Sequence, residues 1–351
     1  IAEDFEVEEI AAYEPCGEGD HLYLWLQKRD VSGGMLRRIL ARSLDISDRD
    51  IGMAGLKDRR AVTRQWVSIP ARHEAQLAEL NDDRVQVLAQ KRHGNKLRTG
   101  HLRGNRFVIR LRGVAPAELE TAQLKLDQLA TGGFPNFYGS QRMGIGGSTL
   151  AAGWALSQGA RRTVSVEMPD GSSHRINFRD RQLRRLAASA LQSELFNRVV
   201  ARRMADGTHA TVLAGDVCKK RETGGIFVSD DPERDQQRRD AGELVVTGPM
   251  WGPKMRRPTD AAAEMERAVL DEMGLTEEHF SAIGSLAAGT RRALTCWPTD
   301  VSAAVDDDGL VVRFALQSGS FATVLLHELS GPLPTPAPAN ANIAGPETAC
   351  A

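Results

Sequence analysis

The segment 53–66, MAGLKDRRAVTRQW, holds one carboxylate, that of Asp58. Four cations surround it in the sequence: Lys57, Arg59, Arg60 and Arg64. Nearby positive charge favours the ionised form of a carboxyl group, and an ionised, positioned aspartate can act as a nucleophile or a general base. The alternative is an aspartate that caps a turn or pairs with an arginine, and the residue types alone do not exclude it.

The residues around Asp58 indicate how it is held. Gly55 permits a tight turn before it, because glycine accepts backbone angles that other residues avoid. Residues 61–69, AVTRQWVSI, alternate small or apolar side chains with polar ones and are rich in Val, Thr and Trp, which is typical of a strand. We therefore expect Asp58 to lie in a loop that leads into a strand, where a rigid scaffold can present a reactive group.

The stretch AGLKDRRAVTRQW resembles the signature of the tRNA pseudouridine synthase D (TruD) family. In that family the aspartate of G-x-K-D-[RK]-x-A-x-T-x-Q-[WF] is the catalytic nucleophile. Three further stretches resemble family motifs and follow in the family's order: Glu3-Asp4-Phe5, FPNFYGSQR at 134–142 and GSFAT at 319–323. The resemblance implies that Asp58 is the nucleophile.

Strands alternating with helices, several joined by turns too short for crossovers, predict an α+β domain on a mainly antiparallel sheet. The resemblance implies the same architecture: the pseudouridine synthase fold, a bent mixed sheet with flanking helices, carrying an inserted α/β TRUD domain. We expect residues 1–152 and 299–330 to form the discontinuous catalytic domain and residues 153–298 the insertion. Residues 331–351 are rich in Pro and Ala and predict a disordered tail.

The sequence also predicts particular elements. Residues 21–28 alternate and suit a central strand, and residues 31–44 predict an amphipathic helix with Ser32 as its N-cap. The stretch TGPMWG at 247–252 predicts a tight turn, and residues 322–326 predict a strand.

The FPNFY segment carries two candidates for contact with a base. Asn136 donates and accepts hydrogen bonds at once, which suits a uracil edge or the loop that holds Asp58. Tyr138 stands where many bacterial members have Phe; its ring can stack on a flipped uracil, which is worth about 1–3 kcal/mol. Its hydroxyl needs a partner. Core packing explains Phe137 better.

Three further substrate contacts come from the resemblance. Phe5 and Phe321 fall at aromatic positions that line the family's substrate pocket, although from the sequence alone either would be a core residue. Arg142 is a candidate for a phosphate contact or for a partner of Asp58. A structural salt bridge is an equally good explanation of Arg142.

Residues 91–112 contain eight Lys and Arg side chains and no acid, while the whole chain has a net charge of -1. A local basic stripe can bind phosphates even on a nearly neutral molecule, so a nucleic-acid partner is expected here, and the resemblance implies that it is tRNA. We predict a polar, basic loop at 93–104. The candidate phosphate contacts are Arg92, Lys96, Arg98 and Arg103. The alternative is a solvated face balanced by acids elsewhere.

Composition bounds the rest. Four scattered cysteines without C-x-x-C spacing predict free thiols in a reducing compartment. The histidines lack metal-ligand spacing, so no metal is expected. The stretch GIGGS at 144–148 lacks the spacing of a dinucleotide-binding loop. No apolar run reaches the length of a membrane span and no signal peptide opens the sequence, which predicts a cytoplasmic protein. We expect a monomer without an obligatory protein partner, and a native segment before Ile1.

The resemblance implies isomerisation of uridine to pseudouridine at position 13 of tRNA. Asp58 would act on a nucleotide flipped out of its stack, after which the uracil rotates and rejoins the ribose through C5. No redox step or external group transfer occurs, so no cofactor is expected. The alternatives are a non-catalytic tRNA-binding or RNA-folding protein on the same scaffold, and a DNA-base glycosidase that releases free base. The intact set of Asp58, Asn136 and the aromatic residues favours the synthase over the binding protein, while analysis of the product decides between the synthase and the glycosidase.

Overall fold

The computed structural model describes residues 1–80, 82–167 and 171–330. The predicted tail at 331–351 lies outside these described residues. Contacts divide the chain into two compact units. Unit 1 comprises Ile1–Gly133 and Trp297–Ala322, and unit 2 comprises Phe134–Cys296 together with the chain from Thr323 onward.

The predicted domain boundaries stay a prediction. One of them, at 152/153, falls inside the helix Ser148–Ser157. Gly153 of that helix approaches the carbonyl of Ala187 so closely that any Cβ would clash with it. The glycine therefore permits the tight packing of this helix on the one that carries Ala187.

The strands, numbered along the chain, are β1 (Phe5–Ala11), β2 (His21–Arg29), β3 (Gly52–Met53), β4 (Val62–Pro70), β5 (Val85–His93), β6 (Leu102–Arg112), β7 (Phe134–Pro135), β8 (Thr163–Glu167), β9 (Ser173–Asn177), β10 (Val217–Lys220), β11 (Ile226–Val228), β12 (Leu244–Met250), β13 (Thr290–Ala293), β14 (Thr295–Cys296), β15 (Thr299–Asp306) and β16 (Gly309–Gln317). The α-helices are α1 (Gly33–Ser43), α2 (Leu119–Gly132), α3 (Ser148–Ser157), α4 (Arg181–Ala205), α5 (Pro232–Asp240), α6 (Asp260–Glu272), α7 (Glu277–Ile283) and α8 (Ala322–Ser330).

The strands of unit 1 form one sheet in the order β15-β16-β6-β1-β4-β2-β5, with β3 paired to β4. Strands β1 and β4 run parallel. The other described pairings of this sheet are antiparallel. This confirms the predicted α+β class with its mainly antiparallel sheet, and β2 lies between two neighbours, as expected of a central strand.

Helix α1 forms where the sequence predicted it. The Ser32 hydroxyl accepts a hydrogen bond from the Met35 backbone N–H, which satisfies one of the free donors of the first turn. Leu36 and Leu40 of the helix are buried in one cluster with Leu24 and Leu26 of β2. The alternation of β2 and the helical spacing of α1 thus bury the same core.

Three local predictions were wrong in their bounds or type. The basic loop predicted at 93–104 is shorter, because β5 pairs with β2 as far as His93 and β6 already begins at Leu102.

The turn predicted at 247–252 is also not observed, because Thr247 to Met250 belong to β12. This part of β12 pairs with β13 only, while β10 pairs with Leu244 to Val246. Pro249 is therefore tolerated, since it lies where β12 has a neighbour on one side only.

Residues 322–326 begin helix α8 and form no strand. Leu325 and Leu329 are both buried, and their spacing of four residues is helical. The five-residue window was too short to separate the two periods. Alternation over so few residues is ambiguous unless the following turn is included.

Unit 2 is organised around α4. Its buried residues belong to one large cluster and recur at helical spacing: Ala187, Ala188, Leu191, Leu195, Phe196, Val199 and Val200. Asp180 caps the helix by accepting hydrogen bonds from the backbone N–H groups of Gln182 and Leu183. Beside it lies a four-stranded sheet in the order β11-β10-β12-β13, and β7 pairs with β14 in a short two-stranded ribbon.

Candidate active site

Asp58 lies in the loop between β3 and β4, as the sequence predicted, and its side chain is exposed. The residue before it, Lys57, is buried, and Leu56 is 76% exposed. Arg64 turns to Glu6 and Gln27, with Nη1 3.2 Å from Glu6 Oε2. Two of the four cations that flank Asp58 in the sequence are paired with other residues: Arg64 with Glu6 and Gln27, and Lys57 with Glu9.

Lys28 is the first of two buried lysines that hold the backbone of this loop. It is the last inward residue of β2, it is 0% exposed, and its Nζ donates hydrogen bonds to the carbonyl oxygens of Asp58 (2.8 Å) and Val31 (2.6 Å). Burial lowers the pKa of Lys28 to about 8, while Asp58 acts in the opposite direction. A buried ammonium that binds the Asp58 carbonyl fixes where the chain turns before β4.

Lys57 is the second anchor. Its Nζ lies 3.0 Å from Glu9 Oε2 and donates to Asn105 Oδ1 at 2.6 Å. Both charged side chains of the pair are almost completely buried. Burial raises the pKa of Glu9, and Lys57 opposes that shift. Since Glu9 lies opposite Asn105 in the β1–β6 ladder, the anchor point belongs to the rigid centre of the sheet.

Phe5 lies on the same face of β1 as Glu9, because residues four apart on a strand point to the same side. Its ring is 6.1 Å from that of Phe107, which stacks on Phe314 at 5.3 Å. Phe5 is half-buried at the edge of this aromatic row. Phe321 is also half-buried and lies in the turn between β16 and α8. Their roles as pocket walls stay predictions.

Asn136, in unit 2, is only 6% exposed. Its Nδ2 donates to the carbonyl oxygen of Ala293 at 2.9 Å, and its Oδ1 accepts from Arg292 Nη2 at 2.6 Å. Arg292 Nη2 also donates to the Asn136 carbonyl at 3.1 Å. These bonds tie the segment after β7 to β13. A direct contact between Asn136 and uracil stays a prediction.

Tyr138 is held by its backbone and its hydroxyl. Its N–H and carbonyl bond with the Asn197 side chain, at 2.8 and 3.0 Å, and its hydroxyl donates to Met250 Sδ at 3.5 Å. The guanidinium of Arg292 lies 4.0 Å from the ring centroid. The hydroxyl therefore has the partner that the change from Phe requires. Stacking on a uracil stays a prediction.

Arg142 lies near Tyr138, with its guanidinium carbon 5.6 Å from the ring centroid. Its Nη2 is 2.5 Å from the Ser189 hydroxyl and its Nε is 3.4 Å from that of Ser193. Among the described residues it forms no ion pair, so the alternative of a structural salt bridge is not observed. Unit 2 thus brings Asn136, Tyr138 and Arg142 together around β7 and α4, while Asp58, Phe5 and Phe321 belong to unit 1.

The four predicted phosphate contacts differ in their surroundings. Arg92 lies on β5 and pairs with Glu74, with Nη2 2.6 Å from Oε2. Arg103 lies on β6. Lys96 and Arg98 lie in the loop between these strands. The structure thus separates two strand residues from two loop residues, and all four roles stay predictions.

Three residues that position the candidate site were not predicted from the sequence: Lys28, Glu9 and Arg292. Lys28 had a signal: it continues the inward set of Leu22, Leu24 and Leu26, where a lysine has to be held by acceptors. Glu9 had the same signal on β1. Arg292 had none, because its partner Asn136 lies 156 residues away in the sequence.

Within the part of the chain that the structure describes, no group of three His, Cys, Asp or Glu side chains is arranged to hold a metal ion. None of the helices in that part has the length and apolar character that a bilayer span requires.

The fold agrees with that of a solved protein structure. A TruD crystal structure from Methanosarcina mazei superposes with a TM-score of 0.71, covering 93% of this chain and 92% of that one at 24% identity, which shows the shared pseudouridine synthase fold. The family model described as tRNA pseudouridine synthase D (TruD) matches residues 1–168 and 166–329. This chain belongs to the TruD family.

Relatives named tRNA pseudouridine synthase D support the assignment. The protein of that name from Anaeromyxobacter dehalogenans strain 2CP-1 is 43% identical over 328 residues, covering 93% of this chain and 90% of the relative. One from Thermus thermophilus is 41% identical over 332 residues, covering 93% of this chain and 86% of the relative.

Proposed function

We propose that this protein is an isomerase that converts uridine 13 of tRNA to pseudouridine, with Asp58 as the nucleophile. Membership of the TruD family supports the reaction class and the RNA substrate. The observation that carries the role of Asp58 is local. Its carboxylate is exposed on a short loop, while the lysines that hold that loop, Lys28 and Lys57, are buried.

The chemistry requires little besides positioning. In the isomerisation the N1–C1′ bond breaks, a C5–C1′ bond forms, C5 loses a proton and N1 gains one, so the composition of the nucleotide is unchanged. Asp58 attacks the nucleotide or initiates cleavage of the glycosidic bond. The target uridine must leave the stack first, at a cost of a few kcal/mol. The detached base must then be retained, and we assign this retention to stacking on an aromatic ring, for which Tyr138, Phe5 and Phe321 are the candidates.

Site-specific pseudouridine mapping tests the position. A tRNA transcript with uridine 13 is expected to gain pseudouridine there after treatment with the protein, and a transcript with cytidine 13 is expected to gain none. Signal at another uridine would refute position 13. Release of free uracil would favour the glycosidase, and tight, salt-sensitive binding without any signal would favour the binding protein.

Lys28→Met is expected to slow isomerisation without weakening tRNA binding. The change removes the hydrogen bond to the Asp58 carbonyl and a second one to the carbonyl of Val31, and misplacement of a reacting group by about 1 Å can cost about 100-fold in rate. We expect a fall in kcat of roughly 10- to 100-fold with KM within about twofold, measured by single- and multiple-turnover kinetics.

Lys125→Met, at a lysine of α2 in the same unit, is the matched control and should retain the wild-type kcat. A merely structural role of Lys28 would lower the active fraction of the protein. The kinetics are therefore normalised to folded enzyme by active-site titration. An unchanged kcat in Lys28→Met would exclude the positioning role.

A further inference from the structure

A cleft of about 370 Å³ lies wholly within unit 1, and three separate segments line it. Arg37 comes from α1, Arg49 from the 3₁₀ turn Asp48–Asp50, and Lys96 and Arg98 from the loop between β5 and β6. Asp48 is the acid among the lining residues. Residues that are distant in the sequence thus combine into one basic concave surface.

Four cations and one carboxylate line this cleft, so most of its positive charge is not neutralised. Arg37 Nη1 donates to the carbonyl oxygens of Asp48 (3.1 Å) and Ile51 (3.0 Å), and it lies 3.9 Å from the exposed Asp48 carboxylate. Lys96 Nζ donates to the carbonyl oxygen of Arg49. Arg49 and Arg98 are exposed and form no ion pair within the described part of the chain. Carbonyl oxygens carry no net charge, so they orient a cation without cancelling its charge.

The cleft is built in advance of any ligand. Leu97 is buried, its N–H donates to the Ser68 hydroxyl at 2.9 Å, and its carbonyl lies so close to Gly52 that a Cβ there would clash. The Gly100 N–H donates to the carbonyl of Ala54 at 2.8 Å. The loop that presents Lys96 and Arg98 is therefore fixed by hydrogen bonds to β4 and to the start of the Asp58 loop, and it packs closely on β3. A preformed site loses less entropy when it binds.

We propose that this cleft binds a phosphodiester group in the backbone of the tRNA whose uridine is presented to Asp58. Guanidinium groups match the paired oxygens of a phosphate with two parallel hydrogen bonds, and three of the four cations are arginines. The volume admits a group of nucleotide size. The inference rests on the proposed function, and it adds Arg37 and Arg49 to the residues that contact RNA.

Arg49→Gln and Arg98→Gln test the cleft, since neither side chain holds the backbone in the way that Arg37 and Lys96 do. Arg112→Gln is the charge-matched control. That arginine lies at the other end of β6, paired with Asp4 (2.9 Å) and Asp308 (3.1 Å). tRNA binding is measured at several salt concentrations, and pseudouridine formation is measured at saturating tRNA.

Each cleft variant is expected to weaken tRNA binding by roughly 5- to 20-fold and to reduce the magnitude of the salt slope by about one. The double variant should reduce the slope by about two, the control should not change it, and kcat at saturation should be preserved. Equal effects of the cleft and control variants, or no change of slope, would overturn the proposal. The binding measurements test the cleft even if the wild-type protein makes no pseudouridine. Failure of the cleft proposal can therefore be distinguished from failure of the proposed synthase activity.

Discussion

Asp58→Asn is expected to reduce pseudouridine formation by about 10⁴-fold or more while tRNA affinity stays within about twofold. The asparagine keeps the size of the side chain and removes the nucleophilic carboxylate, and loss of a nucleophile costs enzymes several orders of magnitude in rate. The fold should tolerate the change, because the loop is held through the Asp58 carbonyl, which binds Lys28, and through the neighbouring Lys57. Single-turnover pseudouridine mapping and equilibrium binding provide the two measurements.

Asp83→Asn is the matched control, since Asp83 is another exposed aspartate of unit 1, in the turn before β5. It should retain wild-type activity. Residual activity of Asp58→Asn above about 1% of wild type would contradict the nucleophile assignment. A loss of tRNA binding as large as the loss of rate would assign Asp58 to substrate binding instead.

Lys57→Met should destabilise unit 1 by about 3–5 kcal/mol, because it leaves the Glu9 carboxylate buried without its cation. Burial already raises the pKa of Glu9, and removal of Lys57 will raise it further. When the pKa of a carboxyl group is raised in the folded state, the folded protein holds the proton more tightly than the unfolded chain does. The free energy of unfolding then falls as the pH rises above the ordinary pKa of Glu. The deficit of the variant should therefore be larger at pH 8 than at pH 5.

Hydrogen exchange of β1, β4 and β6 peptides in graded denaturant assigns the loss to unit 1. The control is Arg92→Met, which breaks the exposed pair with Glu74 and should cost no more than about 1 kcal/mol. The double variant Lys57→Met with Glu9→Gln should recover most of the stability, since both charges are then absent. Equal costs for the buried and the exposed pair would refute the role of burial.

The sequence determined the chemistry and the family. The residues around Asp58 and the order of four motifs along the chain identified the nucleophile candidate, and the comparisons confirmed the family. The alternation of residues 21–28 and the helical spacing after Ser32 predicted β2 and α1 correctly, because burial on one face imposes a period that can be recognised locally. The prediction failed at 322–326, where the window was shorter than the helical period requires.

Tertiary structure alone decided which charges act on the site. Lys57 and Arg64 flank Asp58 in the sequence but pair with Glu9 and Glu6, whereas Lys28, thirty residues before Asp58, binds its carbonyl. Similarly, Arg37 and Arg49 join Lys96 in one cleft although they come from separate segments. The physical reason is that a charge takes its partner from whatever the packed backbone brings within a few ångströms, and neighbours along a strand or loop point in different directions.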